Sequence, residues 1–133
     1  GIKGWSYGGY MSSLAITKGA DIFKLAVAVA PVTNWRYYDN IYTERYMQTP
    51  QENEKGYDEN SPINHVDKLK GKYLLIHGTA DDNVHVQNTY EMTSALVRAN
   101  KQFDLFVYPD KNHGIYSRFH LYTKITSFIE DNL

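Results

Sequence analysis

Short apolar segments alternate with segments of helical periodicity along this chain. The apolar segments lack a period of two, which is typical of strands buried on both faces of a parallel sheet. The predicted strands are residues 25–30, 73–76 and 103–108. The predicted helices are residues 10–18, 86–100 and 119–133. Because strands and helices alternate, we predict an α/β fold with about three parallel strands and flanking helices.

The first predicted helix places Met11, Leu14 and Ala15 on one face and ends at Gly19. A polar stretch, residues 49–72, is predicted to be a surface excursion with a short helix near residues 66–69, and not a linker between domains.

Composition narrows the classes of function without choosing one. The 133 residues suit a single domain, and 14 Lys and Arg against 15 Asp and Glu give a net charge of −1, so nothing favours nucleic acid or an anionic membrane as a partner. No apolar stretch approaches the roughly 20 residues of a membrane-spanning helix. The absence of cysteine excludes disulfides, cysteine metal sites and a thiol nucleophile.

The segment Gly4-Trp5-Ser6-Tyr7-Gly8 has the Gly-x-Ser-x-Gly spacing of a nucleophile elbow, a sharp strand-to-helix turn that presents a reactive serine. We expect Ser6 at the tip of this turn, with Gly4 and Gly8 present because a Cβ at either position would clash. The following helix directs its positive end at the reaction centre, and the backbone N–H of Tyr7 can donate to an oxyanion.

The elbow lies almost at the first residue of the chain, so we expect the strand that should precede Ser6 to be missing. The chain is therefore interpreted as a C-terminal fragment. Loss of that neighbour would bare the edge of the strand at residues 25–30, and unpaired backbone groups on an apolar edge promote further pairing. This predicts self-association as a homo-oligomer, or incorporation into a larger assembly.

Candidate partners for Ser6 follow the other predicted strands, at the carboxyl ends where sites form in open α/β sheets. Asp81 and Asp82 come after the second predicted strand and His113 comes after the third. The order Ser, Asp, His along the chain is that of α/β-hydrolases. In this arrangement His113 takes the proton from Ser6 while an aspartate orients the ring, but spacing alone does not separate Asp81 from Asp82.

The other four histidines are interpreted as structural. Two of them, His77 and His85, flank the aspartate pair. The spacing of these two histidines and the two aspartates fits neither one helical face nor a zinc-protease motif, so no metal site is predicted. The four histidines are His65, His77, His85 and His120.

Aromatic side chains crowd between residues 35 and 46. Trp35, Tyr38 and Tyr42 have the i, i+3, i+7 spacing of one helical face. Such a face is commonly buried in a core, but its position beyond the strand next to the elbow favours an active-site crevice. Three rings there would form a compact apolar pocket beside Ser6.

Several stretches of the chain closely resemble the catalytic domain of the dipeptidyl peptidase IV group in the prolyl oligopeptidase family of serine peptidases. The resemblance runs over nearly the whole chain, and residues 48–62 are similar to its bacterial branch. The stretches that carry it are residues 4–10, Ala30-Pro31-Val32, Tyr42-Thr43-Glu44-Arg45-Tyr46 and residues 74–85.

The resemblance implies a role for each site residue. Ser6 would be the nucleophile, Asp81 the acid of the triad and His113 the base, with the Tyr7 N–H in the oxyanion hole and Asn83 bonded to a substrate carbonyl. It also implies a pocket for proline or alanine at the second position of the substrate. The implied lining residues are Tyr7, Val32, Trp35, Tyr38, Tyr42 and Val84.

By this resemblance the parent protein would release N-terminal dipeptides from peptides, without a cofactor, in a periplasmic or cell-surface location. Residues 1–133 would be the C-terminal portion of its α/β-hydrolase domain, with the propeller and first strands absent and this stretch alone inactive. The alternatives are an acylaminoacyl peptidase or esterase of the same fold, and a non-catalytic remnant that serves assembly.

Overall fold

The computed structural model describes residues 1–33, 59–115 and 118–133 of the chain. Their strands form one parallel four-stranded sheet with the order β1-β2-β3-β4. The strands are β1 (Ile2–Trp5), β2 (Leu25–Val29), β3 (Lys72–Gly78) and β4 (Asp104–Tyr108). The helices are α1 (Tyr7–Lys18), a 3-10 helix (Pro62–Lys68), α2 (Gln87–Arg98) and α3 (Arg118–Asn132).

Strand β2 lies between two neighbours and is buried along its whole length. Its alternate side chains enter two separate apolar layers, because successive residues of a strand point to opposite faces. Leu25, Val27 and Val29 pack with residues of α3, whereas Ala26 and Ala28 pack with residues of α1 and α2. The predicted α/β fold is confirmed, and continuous apolarity in β2 follows from burial on both faces.

The expectation that no strand precedes Ser6 is wrong. β1 pairs with β2 in parallel, from Ile2 beside Ala26 to Trp5 beside Val29. The sheet therefore has four strands among the described residues, and the edge of β2 is covered within the chain. The argument for self-association through residues 25–30 loses its basis, so homo-oligomerisation stays a prediction without this support.

The face of α1 that carries Met11, Leu14 and Ala15 is not its buried face. Met11 is 43% exposed, and the buried face of α1 includes Ser12, Ser13 and Thr17. These hydroxyls can be buried because each has a partner: Ser12 donates to the Gly8 carbonyl at 2.8 Å, Thr17 to the Ser13 carbonyl at 2.8 Å, and Ser13 pairs with the Tyr73 hydroxyl at 2.5 Å.

All four strands run in the same direction, so the loops that follow them meet at one edge of the sheet. Ser6 follows β1, Asp81 lies beyond β3 and His113 lies beyond β4. Within the described residues, no helix is long and apolar enough to cross a bilayer.

Candidate active site

Ser6 occupies a strained turn between β1 and α1. Its φ of 58° and ψ of −113° are sparsely populated for a residue with a side chain. Two backbone hydrogen bonds hold this conformation: the Ser6 N–H donates to the Val29 carbonyl at 2.9 Å, and the Tyr10 N–H donates to the Ser6 carbonyl at 2.9 Å. The serine is thereby placed at a strand-to-helix elbow.

The glycines around Ser6 differ in whether the surrounding backbone leaves room for a Cβ. A Cβ on Gly4 would collide with the backbone of Gly8, whereas a Cβ on Gly8 would meet nothing within 4 Å. The prediction that a Cβ on Gly8 would clash is therefore wrong. The close approach of the two backbones requires a glycine at position 4 only. Gly9 is constrained too, since its Cβ would lie 2.9 Å from the Val29 carbonyl oxygen.

Tyr7 is the first residue of α1, so its backbone N–H lies at the positive end of the helix dipole, next to Ser6. Its side chain is 54% exposed, and its ring centroid lies 5.5 Å from that of Tyr10. This location suits the predicted contribution of the Tyr7 N–H to an oxyanion hole.

The loop after β3, residues 79–86, is called the acid loop. It buries Asp81, which is 3% exposed, and leaves Asp82 exposed. Asp81 Oδ1 accepts the backbone N–H groups of Asn83 at 3.0 Å and Val84 at 2.8 Å, so the carboxylate is held by its own loop. Asp81 and Asp82 thus lie in very different surroundings.

The loop after β4, residues 109–115, is called the base loop and contains His113. His113 Nδ1 lies 2.7 Å from Asp81 Oδ2. Because an ionised carboxylate can only accept, Nδ1 carries the proton of this hydrogen bond. In the neutral ring Nε2 is then an acceptor, which is the state a general base requires.

Backbone contacts hold the acid and base loops together beyond the end of the sheet. The Ala80 N–H donates to the Lys111 carbonyl at 3.0 Å, and the Asp110 N–H donates to the Thr79 hydroxyl at 2.7 Å. The base loop is anchored by Ile115, which is fully buried in the layer beneath α3 despite a φ of 44°. The two loops therefore form one connected unit.

The electrostatics of Asp81 favour its charged form. Burial by itself would raise the pKa, but hydrogen bonds from His113, His77 and the Val84 N–H outweigh it and hold the pKa of Asp81 well below the ordinary 3.8. Asp81 is therefore a carboxylate at neutral pH, and it can stabilise a positive charge that develops on His113.

Trp5 connects the elbow to the base loop, a contact that the sequence patterns do not indicate. Its indole Nε1–H donates to the His113 carbonyl at 3.0 Å, and its ring lies 5.4 Å from the Arg118 guanidinium carbon. This hydrogen bond ties the backbone of the predicted base to the residue that immediately precedes Ser6. The partners are 108 residues apart, so no local signal reveals the pairing.

Two of the predicted pocket residues meet in a small apolar cluster. Val32 and Val84 are buried and pack with Tyr10 of α1, while Asn83 is exposed beside them on the acid loop. Tyr7 is exposed at the start of α1, and the remaining predicted lining residues, Trp35, Tyr38 and Tyr42, lie outside the described residues.

The remaining histidines differ in their surroundings. His77 is fully buried at the end of β3, whereas His85 and His120 are exposed and His65 is half-buried. His120 Nδ1 lies 2.7 Å from the Tyr108 hydroxyl, and His65 Nε2 lies 2.7 Å from the Glu59 carbonyl oxygen. Across the described part of the chain, no three His, Asp or Glu side chains are grouped to hold a metal ion.

Comparison with known proteins agrees with the α/β fold. Residues 1–133 match the model of the Prolyl oligopeptidase family. The chain is 48% identical over 134 residues to Prolyl endopeptidase FAP of Bos taurus and 47% identical over 135 residues to Dipeptidyl peptidase 4 of Felis catus, each match covering 97% of this chain and 18% of the relative.

A solved structure is similar over the same extent. The crystal structure of Porphyromonas gingivalis dipeptidyl peptidase 4 is 51% identical to this chain with a TM-score of 0.97, covering 99% of this chain and 19% of that protein. The chain thus spans less than a fifth of the length of these relatives.

Proposed function

The chain belongs to the prolyl oligopeptidase family of serine peptidases, and from this membership and the site geometry we propose that the full-length protein releases N-terminal dipeptides through a Ser6, Asp81 and His113 triad. The substrates proposed are peptides with proline or alanine at the second position. No cofactor takes part in this chemistry.

The observation that carries the proposal is the 2.7 Å hydrogen bond from His113 Nδ1 to the buried Asp81 carboxylate. It orients the imidazole, fixes the tautomer with a basic Nε2 and supplies a negative charge that stabilises an imidazolium. The Trp5 bond to the His113 carbonyl supports the placement of this base beside Ser6.

The proposed reaction has two halves. Ser6 Oγ attacks the carbonyl carbon of the second residue of the peptide while His113 Nε2 takes the hydroxyl proton, and the Tyr7 N–H stabilises the negative oxygen of the tetrahedral intermediate. The C–N bond then breaks, and His113 returns the proton to the leaving amine. Water then attacks the acyl-enzyme while His113 takes its proton; the bond to Ser6 Oγ breaks, His113 returns the proton to Ser6, and the dipeptide is released.

The preference for a small second residue follows from the proposed pocket. Val32 and Val84 would contribute an apolar wall next to the elbow, and Asn83 a polar contact to the substrate backbone. Trp35, Tyr38 and Tyr42 are proposed to complete the pocket on the basis of the sequence. Among the relatives, Dipeptidyl peptidase 4 carries the proposed activity in its name, and Prolyl endopeptidase FAP carries the proline preference.

Hydrolysis of dipeptide amides by the full-length protein tests the proposal. In a series that differs only at the second residue, kcat/KM for Pro and Ala should exceed that for Leu and Phe by orders of magnitude. Ser6→Ala is the matched control for contaminating activity. Equal rates for Phe and Pro would remove the pocket from the account, and faster cleavage of N-acylated peptides or esters would favour an acylaminoacyl peptidase or esterase.

A further inference from the structure

We infer that His77 is a positioning residue of this active site, which contacts the same Asp81 oxygen as His113 and fixes the acid loop; the inference rests on the proposed triad. His77 lies at the end of β3 and is fully buried, although the strand is otherwise apolar along its buried length. A buried imidazole in such a place is stabilised only if its ring nitrogens have partners.

Both ring nitrogens of His77 have partners, and the partners define the tautomer. Nε2 lies 2.6 Å from the Val84 carbonyl oxygen, and Nδ1 lies 2.7 Å from the Thr89 hydroxyl. A carbonyl oxygen can only accept, so Nε2 carries the proton. In the neutral ring Nδ1 then accepts the Thr89 O–H, which locks the orientation of the imidazole from the first turn of α2.

The same Nε2–H also lies near the proposed acid. Nε2 is 3.3 Å from Asp81 Oδ2, the oxygen that accepts His113 Nδ1 at 2.7 Å. His77 therefore approaches the oxygen that orients the base, while the other carboxylate oxygen is held by the N–H groups of Asn83 and Val84. With donors on both oxygens, the carboxylate cannot rotate away from His113 without losing hydrogen bonds.

His77 also fixes the shape of the acid loop. By donating to the Val84 carbonyl it holds the residue whose N–H binds Asp81 and whose side chain packs against Tyr10 and Val32. One imidazole thus connects the carboxylate, the loop that carries it and the apolar cluster beside the elbow. Its effect on turnover would pass through Asp81, because its polar contacts among the described residues are with Asp81, Val84 and Thr89.

The experiment uses the full-length protein and two substitutions of the same residue. His77→Leu removes both polar contacts, whereas the amide nitrogen of His77→Gln reaches about as far as Nε2 and keeps a donor for Val84 and Asp81. We expect His77→Leu to lower kcat about 10- to 100-fold, the loss of one hydrogen bond to a charged group, with KM changed less than about threefold. His77→Gln should recover most of that loss.

The pH profile of kcat/KM separates positioning from packing. In His77→Leu the Asp81 carboxylate has one hydrogen-bond donor fewer, so its charge stabilises the protonated form of His113 more strongly. Because the reaction requires the unprotonated ring, the acidic limb of the profile should move to higher pH. The control is His85→Leu, which changes an exposed histidine of the acid loop and should leave both kcat and the acidic limb unchanged.

A second variant keeps the inference testable if His77→Leu does not fold. Thr89→Val removes the hydroxyl that orients the ring and should lower kcat severalfold, while Thr93→Val, one turn further along α2 and partly exposed, should not. A normal kcat and acidic limb in folded His77→Leu, or equal losses in the Leu and Gln variants, would overturn the inference. If Ser6→Ala retained turnover, the proposed function itself would fail instead.

Discussion

The elbow at Ser6 and the Asp81–His113 pair lie at the same edge of the sheet, but different forces hold them in place. Ser6 is held by backbone geometry: a positive φ, the close approach of Gly4 to Gly8 and a hydrogen bond to the Val29 carbonyl. The pair is held by side-chain hydrogen bonds to a buried carboxylate.

This difference determines which substitutions each region tolerates. Added volume should disrupt the elbow, since its shape depends on the close approach of the Gly4 and Gly8 backbones. Isosteric changes of charge or of donor and acceptor should disrupt the pair while leaving its packing intact. The predictions below test this contrast, beginning with the largest expected effect.

Removal of either reacting side chain should lower kcat more than any other change. Ser6→Ala and His113→Ala in the full-length protein should each lower kcat on the order of 10⁶-fold, and the double variant should be no slower than either single one, because triad members act as a unit. Steady-state kinetics on a dipeptide amide measures this. A double variant far slower than both singles would show that the two residues act independently.

The acid should be the next most sensitive position. Asp81→Asn keeps the shape of the side chain but presents the wrong group to His113 Nδ1, so kcat should fall about 10⁴-fold. Asp82→Asn is the matched control and should stay within a few-fold of the wild type, since Asp82 is exposed. If Asp82→Asn were the crippling change, the choice of acid would be wrong.

At the elbow, the paired glycine variants test the contribution of volume. Gly4→Ala should lower the free energy of unfolding by about 3 kcal/mol or more, because the added Cβ collides with the Gly8 backbone. Gly8→Ala should raise it by up to about 1 kcal/mol, since Gly8 has a negative φ within α1 and room for a methyl group. Denaturant unfolding compares the two, and equal losses would contradict the structure of the turn.

The smallest effect concerns stability at acidic pH. The pKa of Asp81 is lowered in the folded state, so its charged form stabilises the fold above the ordinary value of 3.8, and this stabilisation is lost as pH falls toward the folded pKa. The thermal midpoint of the wild type should therefore exceed that of Asp81→Asn at neutral pH, and the gap should narrow below about pH 4. A gap that is independent of pH would contradict this.

Much of the fold could be predicted from the sequence because burial on both faces leaves a continuous apolar signal, as in β2. β1 was missed because Ile2-Lys3-Gly4-Trp5 is short and mixed, and its place in the sheet comes from backbone pairing with β2. The buried face of α1 was missed because its hydroxyls are satisfied within the fold, which hydropathy does not register.

For the site, the Gly-x-Ser-x-Gly spacing indicates Ser6. Strand-end position indicates His113 and the aspartate pair, since parallel strands bring their following loops together. The Trp5 and His77 contacts could not be predicted in the same way. Trp5 pairs with a carbonyl 108 residues away, and His77 is recognisable only from the partners of its two ring nitrogens.

The central claim is that Ser6 is a nucleophile activated by His113, and site-resolved labelling with a fluorophosphonate tests it most directly. After reaction of the full-length protein, peptide mapping should find the label on Ser6 alone. His113→Ala should label far more slowly at the same site, and Asp82→Asn at the wild-type rate. A label on another serine, or undiminished labelling of Ser6 in His113→Ala, would contradict the account.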